Sequence, residues 1–342
     1  MVLQTKERPL SGSVPFIANT TQKIEIDRDN LIRRMALLFI IKVTTATTAG
    51  TTIIQDDLLN IVKKIRLVMD ADDNKFNVDL TKWFFVEQIE KGTTPSRDAF
   101  AIPSSGTSTT FKILVNADFA QARQNLSDVT ALLDAPNKSS LNLEIDWGSI
   151  TDVLETVNDT IIDSETELKI SLTEVFDDQG AEANAQLATA GFIDLREGTD
   201  QFLITKANTS FDDSVLQEQI EPVPANILTH LLVTKEDITA VTGSSTRENS
   251  VLNQIKVENI KGVGEKIIQT SFDQLHLGNK SEYGLETIQD GVGYIDWIDQ
   301  RRGGLANFVA EAIKWRFLND APTASETNAI DLYTRYVSGV AQ

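Results

Sequence analysis

Few side chains in this sequence can make or break bonds. There are two imidazoles, His230 and His276, and no cysteine among 342 residues. A hydroxyl nucleophile needs a base within hydrogen-bond reach, so any triad would have to use one of these histidines. His230 lies in the apolar run ILTHLLV and reads as a strand-face residue of the core. His276 lies in QLHLGNK and reads as the end of a strand before a turn. Neither has the setting of a catalytic base. The missing cysteines exclude disulfides, thiolate metal centres and a cysteine nucleophile, and two histidines cannot make a three-histidine zinc site. His-Glu-x-x-His and Gly-Lys-Ser/Thr are absent. Gly262-Val263-Gly264 and Gly291-Val292-Gly293 lack the third glycine of a dinucleotide loop and read as turns.

Carboxylates are plentiful: 50 acidic against 31 basic residues give a net charge of −19. No single Asp/Glu pair stands out as a glycosidase pair in so acidic a chain. Asp70, Asp72 and Asn74 match the opening of a calcium loop, but Lys75 replaces its glycine and Thr81 its closing glutamate. Val68 to Phe76 therefore reads as a hairpin turn. Asp177-Asp178 and Asp212-Asp213 could share a structural divalent cation between subunits. Arg301-Arg302-Gly303-Gly304 is the one compact basic spot and reads as a helix-entry loop suited to interface salt bridges. No organic cofactor and no enzyme is implied. The negative balance argues against a chain that wraps nucleic-acid phosphates or reads their sequence.

These side chains are carried mostly by strands. Leu141, Leu143, Ile145 and Trp147 alternate with polar residues, as do Leu168, Ile170 and Leu172, Ile24 and Ile26, and Phe76, Val78 and Leu80. Period two is the mark of a strand with one buried and one wet face. Thr-rich TTATTAGTT (44–52) suits strand ends and loops. Leu126, Val129 and Leu133, and Leu305, Phe308, Val309 and Ala312, follow helical spacing and predict two short amphipathic helices. The four tryptophans, Trp83, Trp147, Trp297 and Trp315, fall within or at the ends of apolar strands, which favours core packing over an exposed sugar-binding platform.

The two halves of the chain run in the same order. NLIRRMALLFIIKV (30–43) answers to NILTHLLVTKED (226–237), LLNIVKKIRLV (58–68) to VLNQIKVENI (251–260), and FKILVNADF (111–119) to GYIDWIDQ (293–300). Each half then closes on alternating strands, SSLNLEIDW and ELKISLTEVF in one, IKWRFLND and AIDLYTRYV in the other. A length above the ~250–300 residues that one core fills fits this duplication. Residues 177–191 read as a linker. Residues 144–182 carry twelve acids and one base, Lys169, whereas the first 34 residues hold six bases and four acids. The N-terminal MVLQTKERPLSGSVPF has no apolar h-region, and no apolar run approaches the ~20 residues of a spanning helix. A soluble product of a cytoplasm is expected.

In this arrangement the chain resembles the double jelly-roll major capsid proteins of tailless icosahedral viruses, the lineage that includes adenovirus hexon. The similarity rests on a strand–helix–strand unit at FKILVNADF, QNLSDVTALLDA and SSLNLEIDW, and again at GYIDWIDQRRGGLANFVAEA, IKWRFLNDAP and NAIDLYTRYV. It covers about residues 15 to 340. The resemblance implies an all-β fold of two tandem eight-stranded jelly rolls, each with a short flanking helix after its sixth strand. The expected layout is an N-terminal arm (1–14), a first roll (15–178), a linker (179–200) and a second roll (201–342). It also implies a homotrimeric, pseudo-hexagonal capsomer that tiles a virion shell, commonly over an internal membrane. Neighbouring capsomers, penton, minor capsid and membrane proteins, and internal lipid would be its partners. Within that frame Lys6, Arg8, Arg301, Arg302, Asp177 and Asp178 are candidate assembly contacts. The competing readings are a β-sandwich receptor- or carbohydrate-binding protein and a glycosidase built on a jelly roll.

Overall fold

The computed structural model describes residues 3–10, 12–70, 73–119, 132–133, 135–177, 201–203, 209–211, 216–222, 226–238, 245–259, 266–296, 312–319 and 326–337. The chain divides into two compact units, one of Met1–Glu87, Pro95–Gln201 and Gly339–Gln342, the other of Gln88–Thr94 and Phe202–Ser338.

The first unit is built from β1 (Leu3–Pro9), β2 (Val14–Pro15), β3 (Thr21–Glu25), β4 (Leu31–Thr45), β5 (Thr51–Ile53), β6 (Val62–Met69) and β7 (Asp73–Val78). Helix α1 (Leu80–Lys91) follows. Then come β8 (Thr107–Asp118), β9 (Leu141–Trp147), β10 (Leu154–Thr156), β11 (Thr160–Ile162) and β12 (Glu167–Asp177). All pairings are antiparallel. In one sheet β12 lies between β4 and the β1/β2 strand, and β8 flanks β4 on its far side. The other sheet runs β3-β9-β6-β7. If β1 and β2 count as one strand and the small β5, β10 and β11 are set aside, the orders are 1-8-3-6 and 2-7-4-5. That is the double Greek key of a jelly roll. β4 shows why the sheets face each other. Met35, Leu37, Phe39, Ile41 and Val43 are all fully buried, while the residues between them are half-buried or lie on the other face.

The second unit repeats the plan. After a short β13 (Gln201–Leu203) come β14 (Thr209–Phe211), β15 (Leu216–Pro222), β16 (Asn226–Ile238), β17 (Ser245–Thr246), β18 (Leu252–Asn259) and β19 (Lys266–Ser271). Helix α2 (Phe272–Glu282), β20 (Val292–Asp296), β21 (Ala312–Asn319) and β22 (Glu326–Val337) complete it. β22 pairs with β14 and β16, and β16 with β20. β21 pairs with β15 and β18, and β18 with β19. These are the same two orders. The core gathers Leu232, Ile255, Val257, Phe272, Trp315, Phe317 and Leu332.

The structure changes the reading of Leu80, Trp83, His276, Leu133 and Ala312. The period-two run through Leu80 stops at Val78, because Asp79 caps a helix there: its Oδ1 accepts the Lys82 N–H at 2.9 Å. Trp83 is accordingly a helical residue, and so is His276, which lies inside α2. Helices α1 and α2 follow the fifth strand of each roll, a place the sequence did not mark as helical. Of the segments with helical spacing, residues 120–131 and 301–311 lie outside the described residues. Leu133, however, forms a β-bridge with Ile32, and Ala312 opens β21.

Candidate assembly surfaces and strand edges

At the entry to the first roll, Lys6 and Arg8 occupy alternate positions of β1, one directly across from Glu174 and the other two residues along. Glu174 shares the inward face of β12 with Leu168, Ile170 and Leu172, and its side chain is fully buried. A carboxylate taken out of water needs charged donors. It has them: Arg8 Nη2 and Nε reach its two oxygens at 2.8 and 3.3 Å, and Lys6 Nζ lies at 3.3 Å. Arg8 also pairs with Asp27. The hydrogen bond to Glu174, then that to Asp27, raises the Arg8 pKa above its ordinary value. Residues 3–9, which read as part of an arm without periodicity, are therefore a paired strand. Their alternation is one of charge instead of hydrophobicity. Glu174 was hidden in the acidic stretch, although its even spacing from Leu168, Ile170 and Leu172 along ELKISLTEV marked it as inward-facing.

The remaining candidates scatter. Asp177 ends β12 opposite Leu3. Asp178, Asp212, Asp213, Arg301 and Arg302 lie outside the described residues, as do the segment 179–200 and Trp297. Asp70 sits in the β6–β7 hairpin with φ +49°, and its Oδ1 accepts the Ser139 N–H and hydroxyl at 2.6 and 2.8 Å. It is engaged by the protein itself. His230 is fully buried and edge-on to Trp315, with ring centroids 4.8 Å apart, so its place on a core strand face is as the sequence suggests. Trp83, Trp147 and Trp315 are buried at 2%, 1% and 0% exposure, so none of them is a surface platform. Among the described residues no three His, Asp or Glu side chains converge as a metal set, and no helix is long and apolar enough to cross a membrane.

The most organised polar chemistry lies where each helix meets the sixth strand of its roll. That strand is a sheet edge, and its outward N–H and C=O groups need partners. On β8, Lys112 and Leu114 are served by the preceding loop: Asp98 N donates to Lys112 O, Lys112 N to Asp98 Oδ2, and Leu114 N to Ser96 O, all at 2.8–2.9 Å. At Asn116 the partner becomes α1. Glu87, 5% exposed, accepts the Asn116 N–H at 2.9 Å and its side-chain amide at 2.8 Å. Trp83 Nε1 donates to Asn116 O at 3.1 Å.

On β20 the same edge is closed by fewer side chains. Asn279 of α2, 1% exposed, accepts the Tyr294 N–H through Oδ1 and donates to Tyr294 O through Nδ2, both at 2.8 Å. His276 Nδ1 meets Val292 O at 2.9 Å, which requires the proton on Nδ1. His276 is thus a closing group of a sheet edge. Ser271 starts α2 with a capping box, its hydroxyl accepting the Gln274 N–H at 3.1 Å. That Ser-x-x-Gln pattern was the available signal for the helix.

The strand orders, repeated twice along one chain, define a tandem double jelly roll. No protein-family model and no curated protein matches the sequence. Solved structures do. The crystal structure of the STIV MCP superposes with a TM-score of 0.72 and 16% identity, over 98% of this chain and 97% of that one. The Faustovirus major capsid protein gives 0.61 at 8% identity, over 98% and 90%. The major capsid protein P2 from Bacteriophage PM2 gives 0.56 at 10% identity, over 98% of each chain. At these identities the likeness is one of fold, end to end.

Proposed function

We propose that the chain is a structural major capsid protein of an icosahedral virus and resides in the virion shell. The observation that carries this is the tandem repetition of one jelly-roll strand order along a chain that aligns over 98% of its length with the STIV MCP. Two similar rolls in one chain give a threefold assembly six nearly equivalent sides, which suits a hexagonal lattice. The working unit is then a homotrimer that associates with neighbouring capsomers, with minor and penton proteins at its margins and an internal membrane beneath. Lys6, Arg8, Asp177, Asp178, Arg301 and Arg302 enter the same proposal as contact residues, Lys6 and Arg8 with Glu174 already as a partner. The two rolls are taken as residues 15–178, with β1 of the preceding arm added to the edge of the first, and 201–342. The role is structural and not catalytic.

Light scattering on the purified chain tests the unit: the reading expects three times 37.8 kDa. Negative-stain images should show particles of hexagonal outline. A monomer that binds glycans would overturn the reading in favour of a recognition protein. Lipid extracted from purified particles checks the membrane.

A further inference from the structure

The two edge-closing helices correspond residue by residue. Glu87 and Asn279 both meet the backbone of the sixth strand, and both helices run into a glycine of positive φ five residues later, Gly92 at +66° and Gly284 at +65°. The pairing Glu87–Asn279 therefore fixes the alignment along both helices. On the inward side the two agree: Leu80 and Phe272, Trp83 and Leu275, Phe84 and His276 are all buried. On the outward side they part. Phe85 is 1% exposed, whereas its counterpart Leu277 is 61% exposed. Gln88 and Ile89 are buried, whereas Lys280 and Ser281 are open to solvent. One chain thus closes this stripe on α1 and leaves it open on α2.

Gly278 adds an independent observation. Glycine inside a helix is destabilising relative to alanine. A Cβ built on Gly278 would meet nothing within 4 Å, so no neighbour among the described residues requires its absence. Its counterpart in α1 is Val86, 6% exposed. Leu277 and Gly278 together make a knob beside a notch on the open stripe. That shape is costly for an isolated helix and useful where another surface approaches closely.

We propose that the outward stripe of α2, centred on Leu277 and Gly278 and flanked by Gln274 and Ser281, is a contact between copies of this chain. A second copy covers on α2 what the chain covers for itself on α1. The proposal rests on the trimeric reading above and names one of its surfaces.

Wild type, Leu277→Arg and Gly278→Ala are compared by light scattering and sedimentation over a range of concentrations, with circular dichroism as the check of fold. The expected result is a trimer for wild type and at least a tenfold weaker one for Leu277→Arg with an unchanged spectrum. Gly278→Ala should raise the thermal midpoint of the dissociated chain and yet weaken the trimer, a combination that a purely structural role for Gly278 does not produce. If wild type is a trimer and both variants keep its dissociation constant, the contact is wrong and the capsomer reading stands. If wild type stays monomeric at high concentration, the reading and the contact fall together.

Discussion

The two rolls close the same sheet edge with different chemistry. In the first, two side chains share the work at Asn116: the Glu87 carboxylate accepts from the N–H and the side-chain amide, and the Trp83 indole donates to the carbonyl. In the second, one amide side chain, Asn279, does both jobs at Tyr294, and His276 serves the next outward carbonyl. The two rolls therefore share a position and a task and differ in the side chains that perform it. A carboxylate can only accept, so a donor had to appear elsewhere on α1, four residues earlier on the same face. An amide donates and accepts, so one residue suffices.

Substitutions at these residues put the contrast to the test. The largest loss is expected for Asn279→Leu, which orphans a buried N–H and a buried C=O at once. About 2–6 kcal/mol of unfolding free energy should disappear in a denaturant titration, from a cost of ~1–3 kcal/mol per unsatisfied group. Glu87→Leu unpairs the Asn116 N–H and a side-chain amide that is only half-buried and can turn to water, and it leaves the Trp83 bond in place, so it should cost less, about 1–3 kcal/mol, read in the same titration. Equal losses at the two sites would contradict the contrast. His276→Phe installs the residue that α1 carries at the matching position and leaves Val292 O without its side-chain partner. A loss of about 1 kcal/mol is expected, and protection of amides near β20 from hydrogen exchange should fall with it.

The smallest effect separates the rolls by pH. Asp159, through the Thr47 hydroxyl and Thr48 N–H, and Asp163, through the Glu165 N–H, are held below the ordinary carboxylate range. Glu167 joins them through Ser13 and Lys169; Glu258, in the second roll, does so through Lys256. A depressed folded-state pKa contributes stability above the unfolded value of ~4, and that stability is lost as pH falls through the folded value. Among the described residues more of these carboxylates lie in the first roll, so acid should weaken it more than the second. A tryptophan-resolved acid titration in which the second roll loosens first would contradict this.

The strands were legible in the sequence because period two survives wherever one face is wetter than the other, as in β9, β12 and β21, while β4 and β16 stood out as long apolar runs. The helices were not, for opposite reasons. α1 is buried nearly all round, so Trp83, Phe84, Phe85 and Val86 form a continuous apolar run of residue types that favour strands, with no polar stripe to reveal a turn of 3.6. α2 is half open, but Leu275 and Leu277 flank His276 in a false alternation, and only the Ser271–Gln274 cap marks the helix start. The edge bonds at Asn116 and Tyr294 depend on tertiary register, which no local pattern encodes. Glu174 was visible in principle, since its place in the order of Leu168, Ile170 and Leu172 points it inward.

The occupied backbone of β8 and β20 has a bearing on how the protein behaves when crowded. A free strand edge binds any other free edge, with little regard for sequence, and seeds fibres at a rate that climbs with concentration. Where Lys112, Leu114, Asn116, Val292 and Tyr294 are already served, that route is blocked before any two molecules meet. Association there is left to side chains, which discriminate between partners and can be reversed, so errors in packing can dissolve and be retried. A chain protected in this way can accumulate to high local concentration and still end in an ordered array instead of a tangle.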